Sequence, residues 1–170
     1  RKKAQIQKGE DLIKGDLIKY DLESGEIRVE LVSGVLSPDS KDKNKKHAAC
    51  YFRHSFELSQ ELRFGDLELQ LLADDSAIVY LNGKQAVRLR MPDGEVSHKT
   101  YSGIQIKNEN VFDKFKVAGD LLQPGKNLLA VVVHQQRADS SDIAFDLDLT
   151  PLTRPRVIQQ PGENPGSVKT

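Results

Sequence analysis

With 170 residues, 38% of them hydrophobic, the chain has room for one full domain plus extra strands or a tail, but not for two large domains. Its 25 basic and 25 acidic side chains cancel, which excludes a global field that would draw it to nucleic acid or an anionic membrane. No run approaches the roughly 18 apolar residues that a membrane helix needs, and the one cysteine, Cys50, excludes an intramolecular disulfide or a cysteine-rich zinc site.

Taken in order, residues 1–8 read as a polar, basic, frayed end that becomes ordered near Ile6. No signal peptide is visible, and an opening on Arg1 suits a processed or trimmed terminus. Residues 12–22 and 26–31 suit strands, because Ile18, Tyr20 and Leu22, then Ile27, Val29 and Leu31, alternate with polar residues around a Ser24-Gly25 turn. Residues 37–46 contain no apolar side chain and predict an exposed, mixed-charge loop. Residues 48–58 predict a strand with Phe52, His54, Phe56 and Leu58 on one face and Tyr51, Arg53, Ser55 and Glu57 on the other. His54 then sits on the apolar face as a sheet or core residue, and Cys50 enters the same run as a buried small side chain, with a free thiol as the alternative.

Residues 59–65 read as a connector and 67–71 as the next strand. The strongest local signal follows: residues 77–81 and 84–89 are two β-prone runs about Asn82-Gly83, the pair that supplies both positive-φ positions of a type I′ hairpin turn. Residues 91–103, with Pro92-Asp93-Gly94, read as a long surface loop, and 104–117 as weak strand pinned by Phe112, Phe115 and Val117. A short helical turn at 119–122 is ended by Pro124 and Gly125. The uninterrupted apolar run 128–133 predicts a central strand covered on both faces. Ile143, Phe145, Leu147 and Leu149 alternate with polar or small residues as a half-buried strand, and from Pro151 onward prolines and glycines punctuate a tail or linker. No sustained 3.6-residue apolar stripe occurs, so the predicted class is all-β, a sandwich.

Four blocks, in their order and spacing, resemble a galactose-binding-like jelly-roll module of large secreted bacterial proteins over residues 34–150. They are residues 51–58, residues 74–83 with Asp74-Asp75 and Asn82-Gly83, residues 122–131 with Gln123-Pro124-Gly125, and His134-Gln135 with residues 140–147. Such modules often accompany metallophosphatase-like or other hydrolytic domains, and similar ones form the sugar-binding domain of family 2 glycoside hydrolases, where catalysis belongs elsewhere. This chain departs from the pattern in having Ser76 where the family usually has glycine, and in having no tryptophan. Separately, residues 14–27 resemble one repeat of the OstA-like β-jelly-roll proteins that carry lipopolysaccharide. The expected organisation is N-terminal strands at 1–33 of open affiliation, the sandwich at 34–150, and the tail at 151–170.

A sugar site needs an aromatic platform and planar polar groups. Arg90, His98, Tyr101 and Arg137 fall in predicted loops that a jelly roll could gather at one end, and are the candidate ligand-binding residues. Asp74, Asp75, Arg88, His134 and Asp142 fall at strand ends. They read first as a structural cluster, carboxylates capping backbone N–H groups and pairing with Arg88, with a structural calcium ion as the alternative. No Gly-x-Ser-x-Gly elbow, His-Glu-x-x-His or phosphate-cradling glycine loop is present.

The expected function is therefore a non-catalytic accessory module, secreted, periplasmic or at the cell surface, that binds glycan or packs against a neighbouring domain of the same polypeptide. The alternatives are an OstA-like envelope scaffold and a fragment of a metallophosphatase or glycosidase.

Overall fold

The computed structural model describes residues 3–8, 11–16, 19–20, 27–28, 47–106, 111–140 and 143–158. In chain order its strands are β1 (Lys3–Lys8), β2 (Asp11–Asp16), β3 (Lys19–Tyr20), β4 (Ile27–Arg28), β5 (Ala49–Leu58), β6 (Leu62–Arg63), β7 (Leu67–Asp74), β8 (Ser76–Leu81), β9 (Lys84–Leu89), β10 (Asp113–Val117), β11 (Gly125–His134), β12 (Ala144–Pro151) and β13 (Arg156–Val157). Among the described residues a single 3-10 turn, Gly119–Leu121, precedes β11. Every pairing among the described residues is antiparallel.

The Asn82-Gly83 signal produces the hairpin that it predicts. Asn82 and Gly83 take φ of 50° and 81°, and Leu81 pairs with Lys84 across the turn. Asn82 also ties the hairpin to the 3-10 turn and to the first half of β11. Its Nδ2 donates to the Leu121 carbonyl and to Asn127 Oδ1, both at 2.8 Å, and its Oδ1 accepts from the Leu128 N–H at 2.9 Å.

Two sheets make the sandwich. The larger runs β2-β1-β5-β11-β8-β9 and the smaller β10-β7-β12. Period-2 alternation sends one side of each into a shared core: Phe52, Phe56, Val79, Leu129 and Val131 from the larger, and Leu67, Leu69, Leu71, Phe145 and Leu147 from the smaller. Phe52 and Phe145 meet across the core with ring centroids 4.7 Å apart. Each such side chain, fully buried, contributes about 1.5–3 kcal/mol of transfer free energy. Cys50 is buried in this core, and His54 lies on the same face with its ring stacked on Phe56.

Three segments depart from the sequence reading. Residues 3–8, expected to fray, form β1 and pair with both β2 and β5, Ile6 lying opposite Phe52. Strand formation here follows from an open backbone edge on β5, which a polar sequence can satisfy without an apolar pattern of its own. The connector after β5 holds β6, which pairs with β13. The residues after Pro151, expected as a linker, therefore return along it, with further backbone bonds from Leu152 N–H to Asp66 and from Ile158 N–H to Glu61. The loop at 37–46, the Ser24-Gly25 turn and Asp142 lie outside the described residues.

Candidate functional site

The side of the larger sheet turned away from the core is not the polar face that a half-solvated antiparallel sheet ordinarily presents. Counting outward from the core-facing residues, β5 sends Tyr51 and Arg53 to it, β11 sends Leu128, Ala130, Val132 and His134, and β8 sends Ile78 and Tyr80. The register sets the pattern. Val132 lies between Tyr51 and Ile78, and Ala130 between Arg53 and Tyr80. A small residue on the middle strand with long side chains on either neighbour leaves a furrow, and these residues line a cavity of about 390 Å³. That size falls within the range of small-ligand sites.

One wall of the furrow is the loop after β9. Met91 and Val96 pack with Ile78 and Val132 into a small second apolar cluster. The loop is held by backbone bonds from Ser102 N–H to Gln135 and from Gly103 N–H to Gln136. Arg88 fixes its first turn, donating to the carbonyls of Pro92 at 3.1 Å and Gly94 at 2.8 Å. His134 fixes the far end: its Nδ1 lies 2.8 Å from the Thr100 carbonyl. A carbonyl can only accept, so Nδ1 carries the hydrogen and a neutral ring keeps Nε2 as an acceptor. Burial lowers the His134 pKa below its ordinary value. The Thr100 carbonyl opposes that shift and the nearby Arg88 charge adds to it, so the ring is neutral at pH 7.

Arg53 is exposed, forms no salt bridge with a described residue, and shares the furrow with no described Asp or Glu.

Of the residues singled out from the sequence, His134 lines the furrow, Asp142 lies outside the described residues, and the others lie around the adjoining rim. Arg90 is built into the fold: Nε donates to the Asp75 carbonyl at 2.7 Å, Nη2 to the Ala73 carbonyl at 2.6 Å, and Nη1 pairs with Asp113 at 2.6 Å. Asp74 and Asp75 are buried, and the Asp75 carboxylate accepts from the Gln136 N–H and, at 3.3 Å, from Ser140 Oγ. At the rim the Asp75 carboxylate thus caps one backbone N–H, that of Gln136. The expected partner Arg88 instead serves the Pro92 and Gly94 carbonyls, and the arginine at Asp75 is Arg90, through the backbone oxygen. His98 is exposed on a tight turn closed by Thr100 N–H to Ser97, Tyr101 is half-buried next to it, and Arg137 is exposed with Asp139 as its ion-pair partner. The bond from Gly103 to Gln136 runs the Tyr101 and Arg137 loops side by side. Among the described residues no group of three or more His, Cys, Asp or Glu is placed to hold a metal ion.

The furrow was not singled out in the sequence. Its signal lies in the two apolar faces of residues 128–133, read together with an aromatic and an arginine on the outward face of residues 48–58.

No family model and no curated protein matches the chain. Among solved structures it is similar to part of a β-glucosidase from Kluyveromyces marxianus in complex with glucose (14% identity, TM-score 0.45), over 71% of this chain and 13% of that one. It is also similar to part of an α-L-rhamnosidase from Aspergillus terreus (13% identity, TM-score 0.44; 86% and 22%) and to a PA14 sugar-binding domain from an RTX adhesin (13% identity, TM-score 0.41; 92% and 94%). At this distance neither ligand nor activity passes from them to this chain. Among the described residues no helix is long and apolar enough to cross a membrane.

Proposed function

We propose that the chain is a non-catalytic saccharide-binding module of galactose-binding-like jelly-roll type, belonging to a secreted or cell-envelope bacterial protein, and that the furrow on the outer face of the larger sheet is its site. The observation that carries this reading is the furrow's composition. Tyr51 and Tyr80 stand on strands two spacings apart, roughly 10 Å, with a floor of Ala130 and Val132 between them and the hydrogen-bonding groups of Arg53 and His134 along it. Aromatic rings cover the apolar face of a pyranose, while planar donors and an imidazole acceptor meet its hydroxyls.

A glycan-array screen of the folded chain tests this, beside Tyr51→Ala and Tyr80→Ala and, as loop controls, Tyr101→Ala and Arg137→Ala. Loss of one platform ring is expected to weaken selective binding about tenfold, the equivalent of roughly 1.4 kcal/mol, while Arg137→Ala leaves it unchanged. A blank array from well-folded protein would contradict the reading. It would favour the second one, that the furrow is covered by a neighbouring domain, for which Tyr51 at 42% and Leu128 at 37% exposure supply the apolar contact.

A further inference from the structure

Resting on the reading of the furrow as a saccharide site, we infer that the saccharide it selects is acidic, carrying a carboxylate or sulfate that Arg53 pairs while the sugar ring lies on Tyr51 or Tyr80. The charge in the furrow is one-sided. The other side chains that β5, β8 and β11 turn to it are tyrosine, aliphatic and a histidine that is neutral at pH 7, and among the described residues no carboxylate lines the site. Rim arginines are consumed by the fold, Arg90 by Asp113 and two carbonyls and Arg88 by the Pro92 and Gly94 carbonyls, whereas Arg53 forms no salt bridge among the described residues.

Its position favours one kind of occupant. Arg53 follows Tyr51 by two residues on β5, so both project to the same side about 7 Å apart. Its register partners across the sheet are Ala130 on β11 and Gln5 on β1, neither of which carries a charge to neutralise it. A guanidinium beside apolar surface is screened less than one in open water, and its planar fork matches two oxygens of a carboxylate or sulfate. An uncharged sugar forgoes that charge-assisted pairing, and an amino sugar would place like charge against Arg53. Aromatic and guanidinium at this spacing therefore read a ring bearing an anionic substituent.

The test is calorimetric titration of the whole chain with oligogalacturonate, glucuronate-containing and sulfated oligosaccharides. Each is set beside its methyl-esterified or desulfated counterpart, with Arg53→Gln and Arg53→Lys as variants. Arg53 is exposed, so both variants are expected to fold, which circular dichroism checks. The expected result is binding of an acidic member that drops roughly ten- to hundredfold on esterification or desulfation, and equally in Arg53→Gln. Arg53→Lys keeps part of it, and added salt weakens the wild type more than Arg53→Gln. Loss on esterification names carboxylate as the source, and loss on desulfation names sulfate. Equal binding of acidic and neutral partners, unchanged in Arg53→Gln, would overturn the inference and leave the saccharide reading standing. Failure of every saccharide to bind would overturn both.

Discussion

His134 joins the fold to the furrow through a single bond to Thr100, and its charge state decides whether that bond sits in a favourable setting. Burial, with the Arg88 charge adding to it, holds its folded pKa below the unfolded value of 6.5. In the window between the two values the unfolded chain binds a proton that the folded chain does not. The neutral ring's contribution to stability is therefore present in full above about pH 6.5, and is lost as pH falls through the lower folded value. Urea unfolding of wild type and His134→Gln at pH 7.5 and 5.5 checks this: the gap between them should narrow towards the acid side, and a constant gap would contradict it. The place of His134 at the end of a strand was legible in the sequence, and its partner was not. A carbonyl 34 residues upstream on an irregular loop leaves no local pattern. Arg90 and Arg88 teach the same point, since both fall at the end of one strand, yet which reaches Asp75 depends on the direction of the chain after β9.

The β8–β9 hairpin is the element whose sequence and structure agree most closely, because its turn is specified by two adjacent residues. At Gly83 an added Cβ would meet no atom within 4 Å, so the cost of Gly83→Ala is conformational alone, about 1 kcal/mol from its positive φ. Asn82 carries more, since its side chain bonds Leu121, Asn127 and Leu128. Asn82→Gly keeps the turn and loses those bonds, at about 1–3 kcal/mol, and Asn82→Ala adds about 1–2 kcal/mol for a left-handed backbone. Denaturant midpoints should rank wild type, Gly83→Ala, Asn82→Gly, Asn82→Ala. A smaller loss in Asn82→Ala than in Asn82→Gly would show that the turn geometry is not what the residue supplies. Strand β11 was legible as a strand but not in its surroundings. An apolar run looks the same whether its second face is covered by core or opens on a groove. Half of β11 is covered by the loop carrying Met91 and Val96, while Leu128 and Ala130 remain partly open. The binding face was hidden in the sequence for that reason.

At the scale of the molecule, the sandwich class followed from period-2 alternation in residues 48–58, 67–71 and 143–149, each of which turns one set of alternate side chains into the shared core. Affiliation of the first residues did not follow, because edge pairing is a backbone property. β1 occupies the edge of β5, whose outward side chains Tyr51 and Arg53 build the furrow. Deleting residues 1–16 should bare the N–H and C=O groups of β5 and drive self-association, seen by light scattering as loss of monomer. An unchanged monomer with an unchanged melting transition would show that β1 and β2 are dispensable to the sheet. The proposed saccharide binds on the sheet face and not on the rim loops. Titrating the 15N-labelled chain with oligogalacturonate, or with the tightest saccharide from the array, while following amide shifts, tests it most directly. Binding on the sheet face is expected to concentrate the shifts at residues 51–53, 78–80 and 130–132. Shifts confined to His98, Tyr101 and Arg137 would place the site on the loops and contradict it.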